Sequence, residues 1–98
     1  MITYTLDNAE DIARDSPASF YIPSRAEREK VEVKKLVKLI FRMETETEAF
    51  VERMWVIVKE KTETGGFIGV LDNDPYCTEE IKAGIEISFG PENIIAID

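Results

Sequence analysis

The chain contains no histidine and only one cysteine, Cys77. The first absence removes the commonest general base near neutral pH and the commonest imidazole ligand of transition metals. Serine–histidine and cysteine–histidine catalysis are thereby excluded. A lone cysteine rules out an internal disulfide. No apolar run approaches the ~20 residues that span a bilayer, so no membrane association is expected. The opening "MITYTLDNAED" has no basic stretch followed by an apolar one, so no secretory signal is read there, and a reducing cytoplasm is the expected location. Bases are scarce: 12 Lys and Arg stand against 20 Asp and Glu, for a net charge of −8. A chain of that sign repels a phosphate backbone, which makes nucleic acid an unfavoured partner. No ligand spacing points to a metal, and no cofactor is expected.

What is present fits one soluble domain over 1–98, with 44% hydrophobic and 33% charged residues. The charge is uneven. Residues 1–23 carry one base against four acids, 24–41 carry six bases against three acids, and 42–98 carry five bases against thirteen acids. The basic segment holds Arg25, Arg28, Lys30, Lys34, Lys35 and Lys38, interleaved with Glu27, Glu29 and Glu32. Such a mixture reads as a solvated, salt-bridged face. It could also meet the acidic remainder of a second copy head to tail.

Hydrophobic periodicity predicts the elements. "ITYTL" (2–6) alternates as a short strand, and "DNAEDIARDS" (7–16) reads as a helix capped by Asp7 and ended by Pro17. "FYIP" (20–23) is an extended link that pins the N-terminal piece to the core. Ser24 and Glu27 form a capping box for a second short helix. Residues 36–43 alternate as a strand with one buried face, and "ETETEAF" (44–50) is an acidic, mobile loop. "VERMWVIVKE" (51–60) is the clearest strand, apolar on both faces at its middle. "KTETGG" (61–66) turns the chain into "FIGVL" (67–71), where Gly69 predicts a bulge crossed by a large ring such as that of Trp55. Thr78 to Ile81 predicts a helical turn; strands follow over 84–89 and 93–97, separated by "GP". "VEVKKLVKLIF" and "IKAGIEISF" echo one another, with Lys34 and Lys35 in the turn that Gly84 makes in the second copy. Together these features predict an α+β fold: a small, strongly bent antiparallel sheet of about five strands, an SH3-like partly open barrel over 31–98, with a strand and one or two short helices in the segment 1–30.

The candidate site residues are Glu52, Arg53, Trp55, Asp72, Asn73 and Asp74. In "LDNDPYC" the oxygen-bearing side chains are consecutive and lack the spacing and glycine of a calcium loop. A turn is the preferred reading, with these side chains accepting backbone bonds and Pro75 setting the exit. Tryptophan and arginine are enriched at binding hot spots. For Trp55 a core anchor is preferred, with Arg53 paired to Asp72 or Asp74 across the sheet. Cys77, flanked by acids and without an activating partner, reads as inert.

The pieces "IPSRAEREKVEVKKLVKLIF", "ERMWVIV", "GVLDNDP" and "IKAGIEISFGPENI", in that order, resemble an uncharacterised bacterial family, domain of unknown function 2314, over about residues 12–95. The resemblance implies a bacterial protein with a small barrel-like α+β fold and relatives of the immunity type encoded beside toxins. It implies no reaction. The family often has Gly-Asp where Lys34 and Lys35 stand, and a histidine where Asn93 stands.

The functional expectation is a non-catalytic module that binds a protein partner, one of basic character given the acidic balance. The alternatives are a carboxylate- or metal-dependent enzyme using Asp72 or Asp74 with Glu52 and, ranked last, a nucleic-acid-binding barrel.

Overall fold

The computed structural model describes residues 2–98. The elements run β1 (Thr3–Leu6), α1 (Ala9–Asp15), α2 (Arg25–Glu29), β2 (Leu36–Glu44), β3 (Ala49–Lys61), β4 (Phe67–Leu71), β5 (Glu86–Phe89), a 3-10 turn (Pro91–Asn93) and β6 (Ile94–Ile97). The antiparallel sheet is ordered β1-β2-β3-β4-β5, and β6 also pairs with β2. β1 takes Phe41–Glu44 and β6 takes Val37–Leu39, so the two share one edge of β2. The sheet curls into a half-barrel with few short helices, the α+β architecture that the alternation and turn signals imply. Among the described residues no helix is long and apolar enough to cross a membrane.

Alternation decides which side chains meet inside. Val37, Leu39, Phe41 and Met43 of β2 form the core with Met54, Val56 and Val58 of β3, Phe67 and Leu71 of β4, and Ile87 and Phe89 of β5. The Phe67 and Phe89 rings stack with centroids 5.3 Å apart. Gly69 sits where strands approach closely. A Cβ there would lie 2.6 Å from both the Ile57 carbonyl oxygen and Val56 Cγ1. The bulge expected near Gly69 falls on β3, between Val58 and Glu60, but the group pressed against the glycine is the β3 backbone and Val56, not the Trp55 ring.

A second cluster lies on the outer face of β2 and β6. Ala9, Ile40 and Ile95 are buried there under Ile12, Phe20 and Ile22, so the link at 20–22 pins the N-terminal segment as its composition predicts. Arg28 locks this arrangement. It is 5% exposed, whereas the basic segment reads as a solvated face. Its Nε donates to the Pro23 carbonyl at 2.8 Å, and its Nη1 donates to the Pro91 carbonyl at 2.8 Å and to Glu10 Oε2 at 2.7 Å. A buried charge is tolerated only when its donors are satisfied and a counter-charge stands close.

Several local expectations are corrected. Asn8, not Asp7, caps α1, accepting from the Asp11 amide at 3.0 Å, while Asp7 is turned to Arg42. The Ser24–Glu27 capping box forms as predicted. The loop 44–50 shrinks to a tight turn in which the Thr45 amide donates to the Glu48 carbonyl at 2.8 Å and the Thr45 hydroxyl accepts from the Glu48 amide at 3.0 Å. No helix forms at 78–81; that stretch is a run of bends. The internal echo has a physical basis: Lys34 has φ of 80° and Gly84 has φ of 102°, so both entry turns use left-handed backbone.

Two outcomes are expected from these features. A lysine at positive φ is strained by roughly 1–2 kcal/mol, partly offset in a glycine variant by the entropy of the more flexible unfolded chain. Lys34→Gly should therefore raise the urea midpoint, a gain of about 0.5–1 kcal/mol; a fall would show that the lysine side chain outweighs the strain. Arg28→Met should cost about 2–3 kcal/mol, below the usual range for a broken buried pair because Arg25 still serves Glu10. Hydrogen bonds from Arg28, then Arg25, hold the Glu10 carboxyl below its usual range. That stabilisation is present above the ordinary carboxylate pKa and is lost as pH falls through the lowered one. Protection factors of the α1 amides should fall at acid pH in the wild type, and already at neutral pH in Arg28→Met.

Candidate functional site

The six residues singled out in the sequence fall into two groups. The first is polar and turned to the backbone. β4 ends at Leu71, and the Asp72 amide donates to the Trp55 carbonyl at 2.9 Å, one bond beyond the strand. Asn73 Oδ1 accepts from the Trp55 amide at 2.5 Å, and Asp74 Oδ1 accepts from the Ala83 amide at 2.9 Å. The side chains of Asn73 and Asp74 bind backbone, whereas that of exposed Asp72 makes no hydrogen bond among the described residues. Asn73 and Asp74 do so across the fold rather than within a local turn, and they anchor both ends of the segment 73–83.

Glu52 belongs with them. It sits on the core-facing side of β3, between Phe50 and Met54, at the rim of the half-barrel. Its carboxylate accepts from the amides of Tyr76 and Cys77 at 2.9 and 3.0 Å. Burial pushes its pKa up, but the two amide bonds and the contact with the Cys77 thiol outweigh that and hold it below the usual range. Burial, then the neighbouring carboxylate, pushes the Cys77 thiol up, which suits the inert reading. Both Glu52 oxygens are engaged by the loop. Among the described residues no group of three or more His, Cys, Asp or Glu is placed to hold a metal ion.

The second group faces outward. Trp55 is half-buried and belongs to neither core cluster, which corrects the expectation of a core anchor. β3 is apolar on both faces, and the face with Met54, Val56 and Val58 is the one that turns inward. Arg53 makes no ion pair with Asp72 or Asp74; its guanidinium lies over the Phe20 ring, 5.7 Å from the centroid. Lys38, directly across from Trp55 on β2, places its Nζ 4.9 Å from the indole centroid. Asp72 continues the outward alternation of Ile68 and Val70. Sequence reasoning missed Lys38 and Phe20 as neighbours of this face. The signal was the turn at 45–48: once it is tight, the β2–β3 register sets Lys38 opposite Trp55.

Fold and site together define a curled antiparallel α+β domain. Its Glu52, Asn73 and Asp74 side chains serve the backbone, and an indole lies on its outer surface. The chain belongs to the family described as uncharacterized protein conserved in bacteria (DUF2314), whose model matches residues 4–96. Searches of curated proteins and of solved structures find no match.

Glu52→Gln keeps the shape but weakens the charge-assisted amide bonds, each worth about 1.5–3 kcal/mol. Amide exchange at Tyr76 and Cys77 should rise at least tenfold, and alkylation of Cys77 by iodoacetamide at pH 8 should become faster. Unchanged rates would mean that the loop is held by other contacts.

Proposed function

We propose that this protein is a non-catalytic module that binds another protein through the outer face of β3 and β4. The observation that supports the reading is an apolar stripe that packs into neither core cluster among the described residues. Leu36, Ile57 and Val70 are neighbours across three strands, with Trp55 one pair further along β3. All four are partly exposed, and none belongs to either core cluster. The N-terminal segment covers the β2–β6 side of the outer face and stops short of them. An apolar centre holding a tryptophan, rimmed by Lys38, Arg53, Asp72 and Glu86, has the anatomy of a protein interface.

The carboxyl groups of Glu52 and Asp74 accept backbone bonds, which lends the enzyme alternative no comparable support. The net charge of −8 would speed encounter with a basic partner and make it salt-dependent. An inhibitor of a nucleic-acid-acting toxin, the immunity-type role, is a module of this kind.

The test is capture at low salt from a lysate of the encoding bacterium, with wild-type and Ile57→Lys baits of matched melting temperature. A partner retained stoichiometrically by the wild type should fall at least tenfold on the variant. Equal retention on both baits, or no stoichiometric partner, would overturn the reading.

A further inference from the structure

Resting on that reading, we infer that a cleft beside Trp55 recognises a carboxylate, and that the partner fills it with an Asp or Glu side chain flanked by apolar residues. The cleft has a volume of about 300 Å³. Phe20 and Tyr21 of the N-terminal link form one wall, Ile95 and Ala96 form the apolar floor, and Lys38 and Arg53 bring the charge. Among the described residues no carboxylate lines it, although acids outnumber bases 20 to 12 in the chain.

The two cations are held in an unusual way for this protein. Arg14, Arg25, Arg28 and Arg42 each contact an acid. Among the described residues Arg53 is the arginine without an ion pair, and no lysine has one; what sets Arg53 and Lys38 apart is that each lies over a ring face, Phe20 for Arg53 and Trp55 for Lys38. A ring face takes up charge without accepting the in-plane N–H groups of a guanidinium. Those donors remain for an acceptor, and the fork geometry matches a carboxylate. Phosphate offers similar oxygens, but a dianion is repelled more strongly than a carboxylate by a protein of net charge −8. Tyr21, 79% exposed, and the floor of Ile95 and Ala96 give the neighbours of that carboxylate an apolar surface. The local positive charge is compatible with a partner that is basic overall, because a contact inside the cleft is shorter than the ~8 Å screening length and so feels its own two cations more than the rest of the surface.

The probe is a blocked tripeptide, acetyl-Leu-Glu-Leu-amide, titrated to 20 mM (about the weakest affinity worth detecting) into the ¹⁵N-labelled full chain. Its Gln counterpart and inorganic phosphate serve as parallel arms. The Glu peptide should move the amide signals of Lys38, Arg53 and Ala96 saturably, at least tenfold more tightly than the Gln peptide or phosphate. Arg53→Gln and Lys38→Gln, each checked for an unchanged melt, should each lose most of that preference. Equal response to Glu and Gln, a stronger response to phosphate, or no response at these amides overturns the assignment. If the peptide fails while Ile57→Lys still loses the captured partner, the cleft assignment falls and the interface stands. The reverse pattern sinks the interface and leaves the cleft.

Discussion

The guanidinium of Arg28 sets the terms for the N-terminal third of the molecule. Removed from water, it must have its donors met and its charge answered, and three separate segments are arranged to do so. The Pro23 carbonyl comes from the residue before the α2 cap, the Pro91 carbonyl from the turn ahead of β6, and the carboxylate from Glu10 on α1. These contacts draw α1 over Ile40 and Ile95 and bring the 20–22 link down beside Arg53. The wall of the cationic cleft is thus a downstream effect of a buried charge that the cleft does not contain. Such a charge is a weak source of net stability, since burying it costs roughly what its contacts return. Its effect here is to specify where the segment lies.

Glu52 plays the matching part at the other end of the sheet. A carboxylate on the core-facing side of a strand would be costly unless its oxygens found donors, and the amides of Tyr76 and Cys77 supply them. With Asn73 and Asp74 it converts an irregular stretch of about ten residues into a fixed appendage of β3 and β4. Glu52, Asn73 and Asp74, which look chemical in the sequence, are therefore occupied with the chain's own backbone. The two functional readings rest instead on the outward face of β3 and on the cleft that Arg53 shares with Lys38, Phe20 and Tyr21.

The strands were legible because period-two patterning and turn residues agree along most of the chain. β2, β4 and the Ser24–Glu27 box lie within a residue or two of where that patterning puts them. β3 was legible as a strand, but its orientation was not. Apolar residues occupy both faces, and only the partners of Val56 and Val58 in the curled sheet decide that Trp55 points outward. Arg28 could not be recognised as buried for a similar reason. Its surroundings are built from residues 18 positions before it and 63 after it. At 78–81 a local helical signal lost to a longer-range one, as Asp74 takes the Ala83 amide and holds the chain in bends. Periodicity found the elements, and contacts distant in sequence decided which side faced the solvent.

The sharing of one β2 edge by β1 and β6 has a consequence for how the chain is made. Residues 3–6 leave the ribosome early and 94–97 late, yet both must lie along the same nine-residue strand. Until the late residues appear, Val37 to Leu39 present an unpaired edge, and Ile40 lacks Ile95 beside it. Vectorial synthesis can therefore prepare the central hairpins but cannot finish the sheet. The nascent chain carries an open, apolar strand edge of the sort that chaperones shield and that crowded intermediates use to stick together.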